Sequence, residues 1–179
     1  MDTGLFILRI VVGLLLVGHG AQKLFGWFGG AGLTRTASYF GSIGYWPPKL
    51  MAGFAGGAEL VGGAALAAGF MTPLAAAVVI GVMVNVAVAV HSRSGLWAAN
   101  NGYEYPLVIA TVATALAFTG AGSTSVDAWL GLSSGGIELG LFAILLGLAT
   151  GTAVLINRVA ALSEGGPASK SSMVEKKAA

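Results

Sequence analysis

The sequence predicts an all-α membrane protein. Of its 179 residues, 56% are hydrophobic and 9% are charged, whereas soluble domains carry charge on about 25% of their residues. The mean hydropathy is +0.85. A helix needs about 20 mostly apolar residues to cross about 30 Å of hydrocarbon. Five segments fit, at 4–25, 50–70, 73–90, 105–119 with its flanks, and 136–156.

The first segment is interpreted as a retained span. It begins with Met1, Asp2 and Thr3 and lacks the positive region of a secretory signal. No convincing small-residue cleavage site follows it.

The first loop, 27–49, is predicted to contain a short interfacial helix. Leu33, Ala37 and Phe40 have helical spacing after Thr34, which could serve as the N-cap. The loop also carries the aromatic residues typical of a membrane interface, namely Trp27, Phe28, Tyr39, Tyr45 and Trp46.

Charge in the loops predicts the topology, because Lys and Arg near span ends favour the cytoplasm. The second and fourth loops contain neither residue. The other loops and the tail carry Lys23, Arg35, Lys49, Arg93, Arg158, Lys170, Lys176 and Lys177. We therefore expect a multi-pass protein of the cell membrane with its N-terminus outside and its C-terminus cytoplasmic.

Glycines in the second segment predict close helix packing. Gly53 and Gly57 form a G-x-x-x-G pattern, and Gly56, Gly62 and Gly63 add further small sites. Small residues let helix backbones approach closely in lipid.

Glu59 is the first candidate for a functional residue, because it lies within an otherwise apolar span. A charged group at that depth costs about 2.5–3.5 kcal/mol on insertion scales. Helical rise and rotation place Arg9, His19 and Asn85 within reach of a common network. We expect Glu59 to contact Arg9 or His19. The network can be a structural ion pair, a pocket for a quinone or small substrate, or a path for protons or ions.

A second group, Lys23, His91 and Glu104, is predicted to form a polar mouth at the cytoplasmic surface, with a Lys23–Glu104 pair. The alternative is interfacial snorkelling and helix capping. In the outer loop, Ser125 and Asp127 are expected to cap a short helix, with Arg9 at a suitable depth to be the partner of Asp127.

Composition also limits the cofactors and partners. The chain has no cysteine, so it cannot supply thiolate ligands or disulfides. His19 and His91 differ in predicted depth, which disfavours haem ligation by both, and no metal site is predicted. The net charge of +2 is spread over span ends and the tail, so nucleic acid is not an expected partner.

Four motifs in order resemble the DoxX family of small bacterial membrane proteins. They lie at 18–26 (GHGAQKLFG), at 59–63 (ELVGG), from His91 to 102–106 (GYEYP), and from 120–122 (GAG) to 125–127 (SVD). Arg9 fits the opening arginine of the family. The resemblance implies a four-helix membrane core, here 1–132, so the segment at 133–160 is an additional transmembrane helix. The polar residues at 161–179 are expected to form a disordered cytoplasmic tail. Ser123 and Thr124 stand where relatives often carry a bulkier pair.

The resemblance implies a redox role. Some similar proteins are associated with thiosulfate:quinone oxidoreduction, and others with a complex that includes a superoxide dismutase and a sulfurtransferase. The preferred hypothesis is therefore an oxidoreductase subunit with a quinone or sulfur-compound site between its first four helices. A non-enzymatic scaffold for soluble redox enzymes and a small-solute or proton-coupled permease stay open. Whether the chain is itself catalytic, and whether it forms a homo-oligomer, also stay open.

Overall fold

A computed structural model describes residues 2–163, and that part of the chain folds entirely into helices and connecting loops. The helices are α1 (Asp2–Phe25), α2 (Gly32–Ser42), α3 (Pro48–Ala68), α4 (Thr72–Asn85), α5 (Glu104–Thr119), α6 (Val126–Trp129) and α7 (Ile137–Ser163). A π-helical turn, Val86–His91, and a 3-10 turn, Ser92–Ser94, continue α4. Two further 3-10 turns cover Trp27–Gly29 and Ala98–Asn100.

The predicted all-α membrane fold is confirmed. Four helices in the described range are long and apolar enough to cross a membrane: α1, α3, α4 with its continuation to Ser94, and α7. Helix α5 is also apolar, but its 16 residues rise only about 24 Å. We therefore treat α5 as the short member of a five-helix bundle that contacts the lipid bilayer.

The helix predicted in the first loop is present as α2. It begins at Gly32, so Thr34 lies inside the helix, and the residue at the N-cap is Ala31 without a side-chain cap. The prediction of Thr34 as the cap is wrong. Gly30 packs directly against the backbone of Gln22 on α1. This contact fixes the turn before α2. The helix begins directly after that turn, at Gly32, and therefore before Thr34.

Glycines bring α1 and α3 into backbone contact. A Cβ atom at Gly20 would lie 2.6 Å from the carbonyl oxygen of Gly56, and one at Gly63 would lie 2.7 Å from that of Gly13. On each helix the two glycines are seven residues apart, which is about two helical turns, so they lie on the same face. Together they form one glycine seam between α1 and α3. The packing role predicted for Gly56 and Gly63 is confirmed.

Gly53 and Gly57 do not take part in this seam. A Cβ atom at either position would have no neighbour within 4 Å. The prediction that this G-x-x-x-G pattern packs the helices of the chain is wrong, because the contact face of α3 lies on Gly56 and Gly63.

Helix α7 packs on α4 through another pair of glycines. Cβ atoms at Gly147 and Gly151 would lie 2.8 and 3.0 Å from the carbonyl oxygens of Ala77 and Gly81. The apolar core surrounds α4 and includes Leu16, Leu66, Val79, Ile80, Met83 and Leu116.

The bundle has two ends, which we name by their basic residues. The Lys23 end contains the C-termini of α1, α4 and α7, all of α2 and the N-termini of α3 and α5. The Arg9 end contains the opposite termini and α6. Of the tail predicted at 161–179, the first three residues complete α7, and 164–179 lie outside the described residues.

Candidate functional site

A cavity of about 490 Å³ lies between α3, α4 and α7. Its walls are almost entirely apolar, and residues 40–45 of the first loop close it at the Lys23 end. The lining residues are Lys23, Phe40, Ile43, Tyr45, Met51, Phe54, Ala55, Ala58, Glu59, Val78, Gly81, Val82, Asn85, Val86, Val90, Thr150, Gly151 and Val154. We expected a site between the first four helices, but the fifth apolar helix, α7, forms one of its walls.

The cavity opens to the side of the bundle. Helices α3 and α7 contact different faces of α4, through Val78 beside Gly62 and through Gly81 beside Gly147. Phe54 on α3 is 65% exposed, and Val90 beyond α4 is 40% exposed. These two lining side chains therefore lie on the outer surface of the bundle.

Glu59 and Lys23 form an ion pair in the cavity wall. The Lys23 Nζ atom lies 2.6 Å from Glu59 Oε2, and the two side chains are 25% and 4% exposed. The expected pairing of Glu59 with Arg9 or His19 is therefore wrong, and so is the Lys23–Glu104 pair. The glycine seam explains the change, since it places Lys23 beside Gly56, one helical turn from Glu59.

His19 lies at the depth of Glu59 but on another side of α1. It is exposed, and its Nδ1 atom lies 3.2 Å from Gln22 Oε1. The neighbouring Gly20 occupies the contact with α3. Successive side chains on a helix differ by about 100°, so His19 is turned away from the cavity.

Asn85 also lines the cavity, but it belongs to a separate hydrogen-bond group. Its Oδ1 atom accepts a hydrogen bond of 2.9 Å from the Tyr45 hydroxyl. Its Nδ2 atom donates to the carbonyl oxygens of Gly81 and Gly151, both at 3.0 Å. Asn85 therefore joins the first loop, α4 and α7. Of the four residues predicted to form one network, Glu59 and Asn85 share the cavity.

Tyr45 was predicted only as an interfacial aromatic residue, yet it is 4% exposed and faces the cavity. The Arg158 guanidinium lies 5.9 Å from the centre of its ring. Burial raises the pKa of the Tyr45 hydroxyl, while Arg158 acts in the opposite direction. Tyr45 therefore remains a hydrogen-bond donor at neutral pH. Sequence spacing contained no signal for these contacts, because Arg158 reaches the first loop across 115 residues.

The polar mouth predicted from Lys23, His91 and Glu104 is not formed. The Nδ1 atom of His91 lies 2.6 Å from the carbonyl oxygen of Asn101. Glu104 accepts a hydrogen bond of 2.9 Å from the amide of Ala98. The residues have similar depth but lie beside different helices, and His91 and Glu104 organise the third loop.

Asp127 caps α4 at the Arg9 end. Its carboxylate accepts hydrogen bonds from the amides of Met71 and Thr72, at 2.7 and 3.0 Å, and from the Thr72 hydroxyl at 2.7 Å. Negative charge at a helix N-terminus is stabilising. Ser125 caps α6, as expected, by accepting from Ala128 N at 3.1 Å. Asp127, which was expected to cap the same short helix, lies inside α6 and caps α4 instead.

Arg9 is buried at the same end, with 1% exposure. It donates to the carbonyl oxygen of Ala67 at 3.1 Å, at the C-terminus of α3, and to that of Thr124 at 2.5 Å. Arg9 therefore satisfies backbone carbonyls rather than forming an ion pair with Glu59 or with Asp127, and it lies away from the cavity. Together, Arg9 and Asp127 fix the outer loop against the turn between α3 and α4.

Among residues 2–163, no group of three or more His, Asp or Glu side chains is placed to hold a metal ion. The candidate site is therefore the apolar cavity with its two polar pairs, Lys23–Glu59 and Tyr45–Asn85.

Comparison with known proteins gives one match. The family model for DoxX matches residues 4–92, which span α1 to the π-helical turn after α4. The search of curated proteins and the search of solved structures found no match. The matched region supplies most of the cavity wall, and α7 lies beyond it.

Proposed function

Because this chain belongs to the DoxX family, a family of integral membrane proteins, we propose that it is the membrane subunit of an oxidoreductase system. In this proposal, the cavity between α3, α4 and α7 binds a quinone-like molecule. The orientation proposed here places the Lys23 end on the cytoplasmic side.

The observation that carries the proposal is a large apolar cavity with a few polar groups in its wall. Sites for small molecules typically combine apolar walls with a small number of placed polar groups. Here the apolar walls suit a ring and its alkyl substituents. Tyr45 and Lys23 supply hydroxyl and ammonium groups near a head with oxygen atoms.

The charge of the cavity favours a neutral ligand over a sulfur oxyanion. Lys23 is paired with Glu59, and Tyr45 is neutral at neutral pH, so the ionisable groups that line the cavity sum to no net charge. A small anion loses its hydration on entering an apolar cavity and needs an available cation in return. A neutral quinone does not have this requirement.

Electrons reach the ligand from a partner in this proposal. The chain has no cysteine to hold an iron–sulfur cluster. A soluble redox enzyme, such as one of the superoxide dismutase or sulfurtransferase type, is the proposed partner. It would dock at the Lys23 end, where residues 40–45 close the cavity.

The test is the quinone content of purified protein. Ala58→Phe places a ring in the cavity, whereas Ala64→Phe adds the same ring to an exposed position of α3 outside the lining. Lipids extracted from each purified variant are analysed by mass spectrometry. We expect quinone in the wild type and in Ala64→Phe, and at least about tenfold less in Ala58→Phe, a difference of about 1.4 kcal/mol.

Unfolding temperatures of the two variants provide the control for folding. Equal quinone content in both folded variants, or none in the wild type, would contradict quinone binding in the cavity.

A second function, a membrane scaffold for soluble enzymes, is favoured by the charge at the Lys23 end. Arg35, Lys49 and Arg93 are exposed there. Glu104 at that end accepts a hydrogen bond from the amide of Ala98, and Glu59, deeper in the bundle, is paired with Lys23. A scaffold should capture partners equally well after Ala58→Phe. A redox subunit should lose coupled turnover in that variant while it still captures partners.

A further inference from the structure

We propose that α7 is a specificity element of the cavity. In this inference, Arg158 and Gly151 are positioning residues that hold Tyr45 and Asn85 in a fixed geometry toward the polar head of the ligand. The inference rests on the proposed function, because it assigns the part of the same cavity that recognises the head.

Helix α7 lies outside the segment that matches the family model, which ends at residue 92. It nevertheless supplies Thr150, Gly151 and Val154 to the cavity lining. Without these residues, the face of α4 that carries Gly81 and Asn85 would be open to lipid. The added helix therefore converts a groove on the family core into a cavity with three walls.

Arg158 fixes the segment that carries Tyr45. Its Nε atom donates a hydrogen bond of 2.6 Å to the carbonyl oxygen of Ile43, and its guanidinium lies over the Tyr45 ring. Between them, Gly44 has a φ of +94° and packs against Leu162, so that a Cβ atom would lie 2.6 Å from Leu162 Cδ2. Three successive residues of the first loop thus contact α7.

Gly151 fixes the orientation of the Asn85 amide. The two Asn85 hydrogen bonds to carbonyl oxygens, those of Gly81 and Gly151, require its NH₂ group to point toward them. The Asn85 oxygen must then face Tyr45, and it accepts the Tyr45 hydroxyl hydrogen. With its hydrogen engaged in this way, the Tyr45 oxygen retains lone pairs that can accept from a hydroxyl on the ligand. A ligand carbonyl would instead compete with Asn85 for the Tyr45 hydrogen.

This geometry distinguishes a head with oxygen atoms from a bare ring. Loss of Arg158 frees the segment from 43 to 45 and leaves the apolar walls formed by α3, α4 and α7 unchanged. The affinity for an oxygen-bearing head should therefore fall, and the affinity for an apolar ring of the same size should not. A defect in folding would lower both.

The test uses two probes with the same ten-carbon alkyl tail, one on a hydroquinone ring, whose hydroxyl groups can donate to the Tyr45 oxygen, and one on a benzene ring. Dissociation constants are measured by direct mass spectrometry of the detergent-solubilised full chain. We expect the wild type to bind the alkylhydroquinone more tightly than the alkylbenzene. In Arg158→Gln the affinity for the alkylhydroquinone should fall about tenfold, which corresponds to the loss of about one hydrogen bond, while the affinity for the alkylbenzene stays unchanged.

Arg93→Gln is the matched control, because it removes an exposed basic residue at the same end that does not line the cavity. It should leave both affinities unchanged. An equal loss of both probes in Arg158→Gln, or no loss of either, would overturn the role of α7. If the wild type binds neither probe, the proposed function itself fails, which is a different result.

Discussion

Lys23 and Glu59 differ in exposure, and this difference predicts which of the two tolerates loss of its partner. Lys23 is 25% exposed near the end of α1, so its side chain can extend toward the membrane surface. Glu59 is 4% exposed in the middle of α3 and has no such route. The carboxylate is therefore the group that depends on the pair.

Substitution at the two positions should be asymmetric. Lys23→Met leaves a buried carboxylate without a partner and should lower the free energy of unfolding by about 3–5 kcal/mol. Glu59→Gln removes the buried charge and should cost about 1 kcal/mol. Thermal unfolding in detergent measures both. Lys23→Met combined with Glu59→Gln should be more stable than Lys23→Met alone, and additive losses would show that the pair does not support the fold.

The raised pKa of Tyr45 predicts that the protein becomes less stable at alkaline pH. Its pKa is raised from the ordinary value of 10.0, chiefly by burial, so between pH 10 and the higher folded-state pKa the folded protein binds more protons than the unfolded chain. Its contribution to stability is complete below pH 10 and is lost as pH rises through the folded-state pKa. Wild-type protein should therefore lose more stability than Tyr45→Phe between pH 9 and pH 11. Parallel pH profiles of the two unfolding temperatures would disprove this contribution.

The sequence could identify Glu59 as a candidate functional residue but could not identify its partner. The cost of a charge in an apolar span marks the residue directly. The choice among Arg9, His19 and Lys23 depends on which face of α1 meets α3, and the seam formed by Gly13 and Gly20 decides it. The depth of a residue in the membrane can be estimated by counting residues along its helix. Which helix packs against a given face of α1 is known only once the bundle has assembled.

Two glycines of α3, one in contact with α1 and one in open space, allow the packing of α1 on α3 to be tested with matched substitutions. Gly63→Ala should destabilise the bundle by about 1–3 kcal/mol, because the added methyl group overlaps the backbone of α1 at Gly13. Gly57→Ala adds the same group to the same helix in open space. It should be neutral or stabilising by up to about 1 kcal/mol.

Unfolding temperatures of the two variants, measured at equal protein concentration, test this prediction. A loss at Gly57 as large as that at Gly63 would mean that the contact between α1 and α3 does not determine stability.

Helices were more predictable from the sequence than the contacts between them. Apolar length predicts the spans, and helical spacing predicts α2 in the first loop. The cap of α4 could not be predicted in this way, since Asp127 supplies it from α6, more than 50 residues further along the chain. The roles of Arg158 and Asn85 likewise require α7 to lie beside the first loop.

For the whole molecule, the charge distribution predicts the orientation in the membrane. Single cysteines can test it, because the chain has none of its own. Exposed positions are available at both ends, with Ser38 and Ser94 at the Lys23 end and Ser133 at the Arg9 end. In intact cells, an impermeant maleimide should label cysteine at Ser133 and leave the other two unlabelled until the membrane is opened. The reverse pattern would invert the proposed topology.

Photolabelling of the full chain tests whether the cavity between α3, α4 and α7 holds a quinone-like ligand. A benzoquinone with a photoreactive group on its ring is irradiated with the solubilised protein, and the labelled peptides are mapped. We expect labels on lining residues such as Met51, Val82 and Val154, and their loss in Ala58→Phe but not in Ala64→Phe. Labels confined to surfaces outside the cavity, or unchanged by Ala58→Phe, would contradict it.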